Sequence, residues 1–251
     1  MPTAATFPLS PTLDHVGYLV ASAERLVAPA QALGLLPAGG GPPPPRRLGV
    51  ARGAVSLADA TVAAAFAVAL AALERQGTEL VDVDWPGGEP VFAATTAIMF
   101  AEAAWVHRHL LAARADRYGS DVRDRLVQGA AIGLDTYLAA RAYRRHARQA
   151  CLAVLAGASG AGDTGGASGA APVDGVLSPT VPIVAPRLAE AADPAVAGRL
   201  VTYTRLADLT GLPAVSVPVP GLALPVGVQV ETATDAAALG AALALERALG
   251  A

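Results

Sequence analysis

Few residues in this chain combine the types and spacing that chemistry requires. His107 and His109 lie close to Glu102 and Asp116, a set that could in principle hold a metal ion and activate water. On a helix, however, side chains two apart point away from each other, so the two imidazoles cannot easily share one ion. Ordinary surface or half-buried histidines are the stronger reading, and a metal hydrolase is the weakest of the hypotheses. Residues 163–168, Asp-Thr-Gly-Gly-Ala-Ser, place a serine behind a glycine-rich turn. Such a turn can present backbone N–H groups to a developing oxyanion. A nucleophilic serine also needs a base, and no histidine is near in sequence. The surrounding Gly/Ala/Ser repetition reads as a linker.

Arg144, Arg145 and Arg148 share one helical segment, with Arg141 one turn earlier. A row of this kind is usually a solvated face and sometimes a carboxylate-binding one. Asp208 stands just before Thr210-Gly211-Leu212-Pro213, where a helix hands over to a strand. Cys151 is the single cysteine, so it has no internal disulfide partner, and its apolar helical setting predicts a buried, inert thiol. All 18 basic residues are arginine, and lysine is absent altogether. Since a guanidinium stays protonated at working pH, no basic side chain of this chain can act as an amine base.

The elements that must position these groups follow from pattern and punctuation. A helix around residues 23–33 ends at Gly34, and a Gly/Pro linker occupies 38–45. Residues 47–50 read as a short buried strand. Ser56 and Asp59 offer a capping box for a helix from 57 to 76, whose apolar stripe includes Phe66, Leu70 and Leu73. Residues 78–83 alternate as a strand before Trp85-Pro86. Long helices cover 91–156 with breaks near Gly119 and Gly133, and 158–171 form a second linker. A strand at 173–177, a helix over 195–209, strands at 214–218 and 226–230, and a last helix over 235–249 capped by Thr232 and Asp235 complete the chain. Strand–helix–strand order places it in the α/β class.

Composition agrees. Some 53% of residues are hydrophobic and 16% charged, which excludes a disordered chain. A net charge of −3 and the lack of a basic stripe interleaved with aromatics give no electrostatic support for nucleic acid. The longest apolar run, 62–73, is too short to span a bilayer, and the first residues carry no signal-peptide pattern. A cytoplasmic location is the default expectation, with no membrane partner and no cofactor.

Taken in order, several segments resemble the amidase-signature family, which hydrolyses the C–N bonds of amides. They begin with Thr-Leu-Asp-His-Val-Gly at 12–17, Leu-Gly-Val at 48–50 and the helix-to-strand run 71–83 before Trp85-Pro86. Next come Tyr-Gly-Ser-Asp-Val-Arg at 118–123 with Tyr137 and Arg144, then Val-Asp-Gly-Val-Leu-Ser-Pro-Thr at 173–180. The last are 209–218, around Thr210-Gly-Leu-Pro213, and Leu-Pro-Val-Gly-Val-Gln at 224–229. Order and spacing across most of the chain carry the resemblance.

The resemblance implies one large mixed sheet wrapped in helices, with residues 1–251 as the C-terminal portion of a single amidase-like domain. Family members use a serine nucleophile, a second serine with a cis peptide bond, and a lysine base. All three are expected upstream of the 12–17 match, so the chain is expected to lack the triad, to come from a truncated or split reading frame, and to be inactive alone. By the same resemblance Arg144 and Asp208 become candidate substrate contacts, although the family commonly has Asn where Asp208 stands. Residues 200–204 also bear a faint likeness to the allophanate-hydrolase branch. Partners would be a small-molecule amide or carboxylate once an N-terminal half completes the site, and a companion chain or homo-oligomer. An interrupted sheet would leave an open edge and apolar surface, giving poor solubility alone. The alternative is a non-catalytic binding or regulatory module on the amidase scaffold.

Overall fold

The computed structural model describes residues 6–36, 40–158, 171–191 and 193–250. A 3-10 turn, Ala23–Leu26, leads into the short helix α1 (Val27–Ala32). Strand β1 (Arg47–Ala51) follows, then the single turn α2 (Arg52–Val55), helix α3 (Ala60–Arg75) and strand β2 (Glu79–Val83). A helical layer comes next: α4 (Gly88–Arg114), α5 (Ser120–Ala130) and α6 (Leu134–Leu155). The chain re-enters the sheet with β3 (Gly175–Pro179) and continues through α7 (Pro194–Leu200), α8 (Thr204–Thr210), β4 (Ala214–Pro218), β5 (Gly227–Glu231) and α9 (Asp235–Leu249).

Among the described residues the strands form one five-stranded sheet in the order β2-β1-β3-β5-β4. β1 runs parallel to β2 and β3, whereas β5 is antiparallel to both β3 and β4. The sheet is therefore mixed, as the sequence reading expects. Its alternation sorts side chains by parity. Leu48, Val50, Leu177, Val217, Val228 and Val230 join Phe66, Leu70 and Leu73 of α3 and Leu239, Leu243 and Leu245 of α9 in the principal core. Ala51 and Val176 face the other way, against Leu155 at the end of α6. A separate helical core joins α4, α6 and α8 through Ile98, Ala147, Cys151, Leu206 and Leu209, and Leu13 closes it.

Two expected caps differ. Asp59, not Ser56, is the N-cap of α3: its carboxylate accepts from the Val62 N–H at 2.9 Å, while the Ser56 hydroxyl donates to the Gly53 carbonyl. At α9 the cap is Thr234, accepting from Ala237 N–H, while the Thr232 hydroxyl donates to the Thr234 carbonyl. The helix expected over 195–209 is split in two. Thr202 turns its hydroxyl back onto the Arg199 carbonyl at 2.8 Å, and the buried Tyr203 donates to the Ala54 carbonyl, so the chain bends there instead of continuing.

In the Gly/Pro linker, residues 40–45 contain no helix or strand, and the Pro43 carbonyl lies against Gly240 of α9, where a Cβ would stand 1.9 Å from it. The second linker, apart from its two ends, lies outside the described residues. No helix among the described residues is long and apolar enough to cross a membrane.

Candidate functional site

The polar residues converge where α4, α6 and α8 meet the segment 10–15. Glu102, on the buried face of α4, is the node. Its carboxylate accepts from the Ser10 hydroxyl at 2.7 Å, the Thr12 N–H at 2.9 Å, the Thr12 hydroxyl at 2.6 Å and the Tyr137 hydroxyl at 2.7 Å. Burial pushes its pKa up, but these hydrogen bonds to the charged form outweigh burial and leave it below its ordinary value. Arg141 donates to the Tyr137 hydroxyl and stands 3.9 Å from the carboxylate. One turn on, Arg144 donates to the Thr12 carbonyl at 2.7 Å. The segment 10–12 is thus fastened to two helices by one buried carboxylate and one arginine.

Both candidate contacts from the sequence lie here. Asp208 stands 3.3 Å from the Nδ1 of His15, on the other side of the same segment. Burial raises its carboxyl pKa, opposed by the neighbouring His15 ring and the Arg144 guanidinium. Arg144 is depressed by burial first and then by the like charge of Arg141, with Glu102 and Asp208 acting the other way. The two residues therefore share one electrostatic environment across the 12–15 segment. Beside them opens a cleft of about 400 Å3 lined by Arg141, Arg144, Arg145, Arg148, Thr210 and Gly211. Arg148 donates to the Thr210 carbonyl at 2.7 Å, closing the end of α8 against α6.

A second polar group escapes the sequence reading. On the sheet face turned toward α6, Ser178 of β3 and Ser216 of β4 both sit opposite Gln229 of β5. Gln229 donates to Glu231 at 3.0 Å, and the Trp85 indole N–H reaches the same carboxylate oxygen at 3.3 Å. The other oxygen of Glu231 is buried without a partner among the described residues. Burial drives the Glu231 pKa up to about 7, the two hydrogen bonds opposing it. At the end of this row the hydroxyls of Thr180 and Ser216 meet at 2.6 Å. A signal for the group exists: 228–231 reads Val-Gln-Val-Glu and 215–217 reads Val-Ser-Val, an alternation that assigns the polar members to one face.

The remaining candidates are dispersed. His107 bonds the Tyr118 hydroxyl through Nδ1 at 2.7 Å and packs beside Phe7. Among the described residues no group of three or more His, Cys, Asp or Glu could hold a metal ion. Residues 163–168 lie outside the described residues. Cys151 is fully buried in the helical core, its thiol pushed up to about 12 by burial and by the neighbouring Glu231 charge.

Comparison with known proteins places this architecture. A curated amidase of Pseudomonas putida is 28% identical over 167 residues, covering 64% of this chain and 33% of that protein. A glutamyl-tRNA(Gln) amidotransferase subunit from Halobacterium salinarum is 32% identical over 204 residues, 72% of this chain and 46% of that one. A crystal structure of an amidase superposes with a TM-score of 0.79 at 26% identity, covering 96% of this chain and 54% of that chain. The chain thus spans between a third and just over half of the length of these three proteins. The family model for Amidase matches residues 34–236, which contain every strand of the described sheet and the whole arginine-lined cleft, and on that match the chain belongs to the amidase family.

Proposed function

We propose that this chain supplies sheet strands and cleft walls to a hydrolase of C–N amide bonds, whose serine nucleophile and lysine base come from protein outside these 251 residues. One observation carries the reading: a family match over most of the chain coexists with a sequence that contains no lysine. In the family chemistry the serine oxygen attacks the amide carbonyl while the lysine amine takes its proton. The tetrahedral intermediate expels the amine, which leaves with that proton, and water then releases the acid from the acyl-serine. Neither arginine nor the Glu102 carboxylate can replace the amine base: the first is permanently protonated, and the second is saturated by hydrogen-bond donors. Arg144 and Asp208 take the substrate side of the cleft, their charges set on either flank of the 12–15 segment.

A companion chain is part of this proposal. One relative is, by its name, one subunit of an amidotransferase, so members of this family occur within assemblies. β4 is an edge of the described sheet, with only β5 beside it, and so offers a strand-pairing surface. The test is ammonia release from a panel of simple amides by the purified chain, with a serine-reactive phosphonate probe followed by intact mass. The expected result is no turnover and no adduct from the chain alone. Turnover together with a single labelled serine would overturn the reading, because a lysine-free mechanism would then operate within this chain.

A further inference from the structure

The cleft on α6 has a charge pattern that backbone capping does not account for. Arg141, Arg144, Arg145 and Arg148 are spaced i, i+3, i+4 and i+7, one stripe of a helix, and all four line the same cavity of about 400 Å3. Two carboxylates lie near the stripe without lining the cavity: Glu102, 3.9 Å from Arg141, and Asp208, whose charge reaches Arg144. Among the described residues, Arg144, Arg145 and Arg148 form no ion pair within 4 Å. The like charges work against one another: Arg141 and Arg148 both depress the Arg144 pKa. Two of the guanidinium groups are also held in place, Arg144 on the Thr12 carbonyl and Arg148 on the Thr210 carbonyl, each at 2.7 Å. Ordering long cationic side chains around an open space is costly in entropy and in repulsion. An anion entering that space relieves the repulsion and meets donors already in place.

We infer that the α6 cleft is a binding site for a small oxyanion, a phosphate or carboxylate group seated among Arg141, Arg145 and Arg148 against Thr210–Gly211. Arg144 is shared with the proposed substrate side, but the site needs neither the nucleophile nor the lysine, and binding occurs in this chain alone. Arg145 is exposed and, among the described residues, its side chain bonds only the Arg141 carbonyl of its own helix, so its change disturbs the fold little.

The experiment is thermal unfolding of the full chain at ionic strength held constant with sodium chloride, titrated with inorganic phosphate in one arm and succinate in the other. Equilibrium dialysis against the same anions provides a readout that does not depend on a cooperative melt. A saturable rise in Tm, or saturable uptake, is expected in at least one arm. Saturation with phosphate alone assigns a tetrahedral oxyanion, and saturation with succinate alone assigns a carboxylate. Arg145→Glu is expected to weaken the apparent affinity at least about tenfold, the scale of one charge-assisted pair, and to raise the Tm without anion by easing repulsion. Arg148→Gln serves as a second variant and Arg25→Glu, on the distant 3-10 turn, as an unaffected control. The inference is overturned if neither anion exceeds matched chloride, or if saturation survives unchanged in both Arg145→Glu and Arg148→Gln. Either result leaves the amide-hydrolase reading standing, since that is judged by ammonia release and the serine probe.

Discussion

Glu231 is the least comfortable charge in the fold, and its substitution makes a quantitative test. The side chain is 2% exposed on the sheet face turned toward α6. It receives donors from Trp85 and Gln229 on one oxygen and, among the described residues, has no partner for the other. Its pKa stands at about 7 against an ordinary 4.5. Between these values the native state holds a proton that the unfolded chain has released, so stability falls as pH rises from about 4.5 to 7 and stays low above that. At 1.36 kcal/mol per pH unit the penalty at pH 8 is about 3 kcal/mol, an upper figure because native relaxation and water entry reduce it. Glu231→Gln retains an acceptor for Trp85 and Gln229, and its amide nitrogen takes the place of the acid hydroxyl, so it mimics the protonated form. Urea unfolding of both proteins at pH 5, 6, 7 and 8 is therefore expected to show near-identical stabilities at pH 5. At pH 8 the variant should lead by about 2–3 kcal/mol. Trp85 is a local reporter: in a Trp105→Phe background its emission should titrate near neutrality and lose that transition in Glu231→Gln. Parallel pH profiles for the two proteins would show that Glu231 ionises freely in the native state, and the burial argument would fail.

Glu102 should behave in the opposite sense. Its folded-state pKa lies below its ordinary 4.5, so its stabilisation is present above that pH and is lost as pH falls through the folded value. Glu102→Gln is expected to cost about 2–3 kcal/mol at pH 7, with the gap closing in acid, as measured by urea unfolding. Gly129→Ala places a Cβ 2.0 Å from the Phe100 carbonyl oxygen across the α4–α5 contact, and a loss of about 3 kcal/mol or more is expected in the same assay. Cys151, with its thiol at about 12, should stay unmodified by a thiol-reactive disulfide at pH 8 and react fully once the chain is unfolded in urea.

How much of the molecule is legible in its sequence divides along sequence separation. The strands around Leu48, Leu80 and Val215, the helix breaks at Gly119 and Gly133, and the run Asp235–Leu249 follow from local pattern, because turn residues and periodicity act within a few positions. Helix starts are harder. Ser56 and Asp59 are both good caps, and only the trajectory out of α2 decides that Asp59 holds the Val62 N–H. The candidate contacts Arg144 and Asp208 come from resemblance, and the structure sets them on either side of one segment. What no local rule supplies is the Glu102 node, whose partners Ser10 and Thr12 lie 92 and 90 residues away. Read locally, Glu102 is a neighbour of two histidines and suggests a metal. In the folded chain it is a carboxylate saturated by hydroxyl and amide donors.

That difference bears on function. A carboxylate with four donors on it is a structural anchor, fixing the 10–15 segment against α4 and α6 and so setting the segment that Arg144 of α6 and Asp208 of α8 contact from either side. Among the described residues, groups with unmet electrostatic needs lie elsewhere and include the buried oxygen of Glu231 and the arginine stripe of α6. For Glu231 the need is met internally by a proton, because a carboxylate can be neutralised near pH 7, and the consequence is a pH-dependent stability. The arginine stripe cannot shed its charge, since a guanidinium stays protonated at working pH, so an anion from outside is the partner proposed for it. The same physical problem, uncompensated charge, is thus resolved by titration in the sheet and by ligand binding at the helical face. The two are separable by experiment: Glu231→Gln should leave anion binding unchanged, and Arg145→Glu should leave the pH 5 to pH 8 stability slope unchanged.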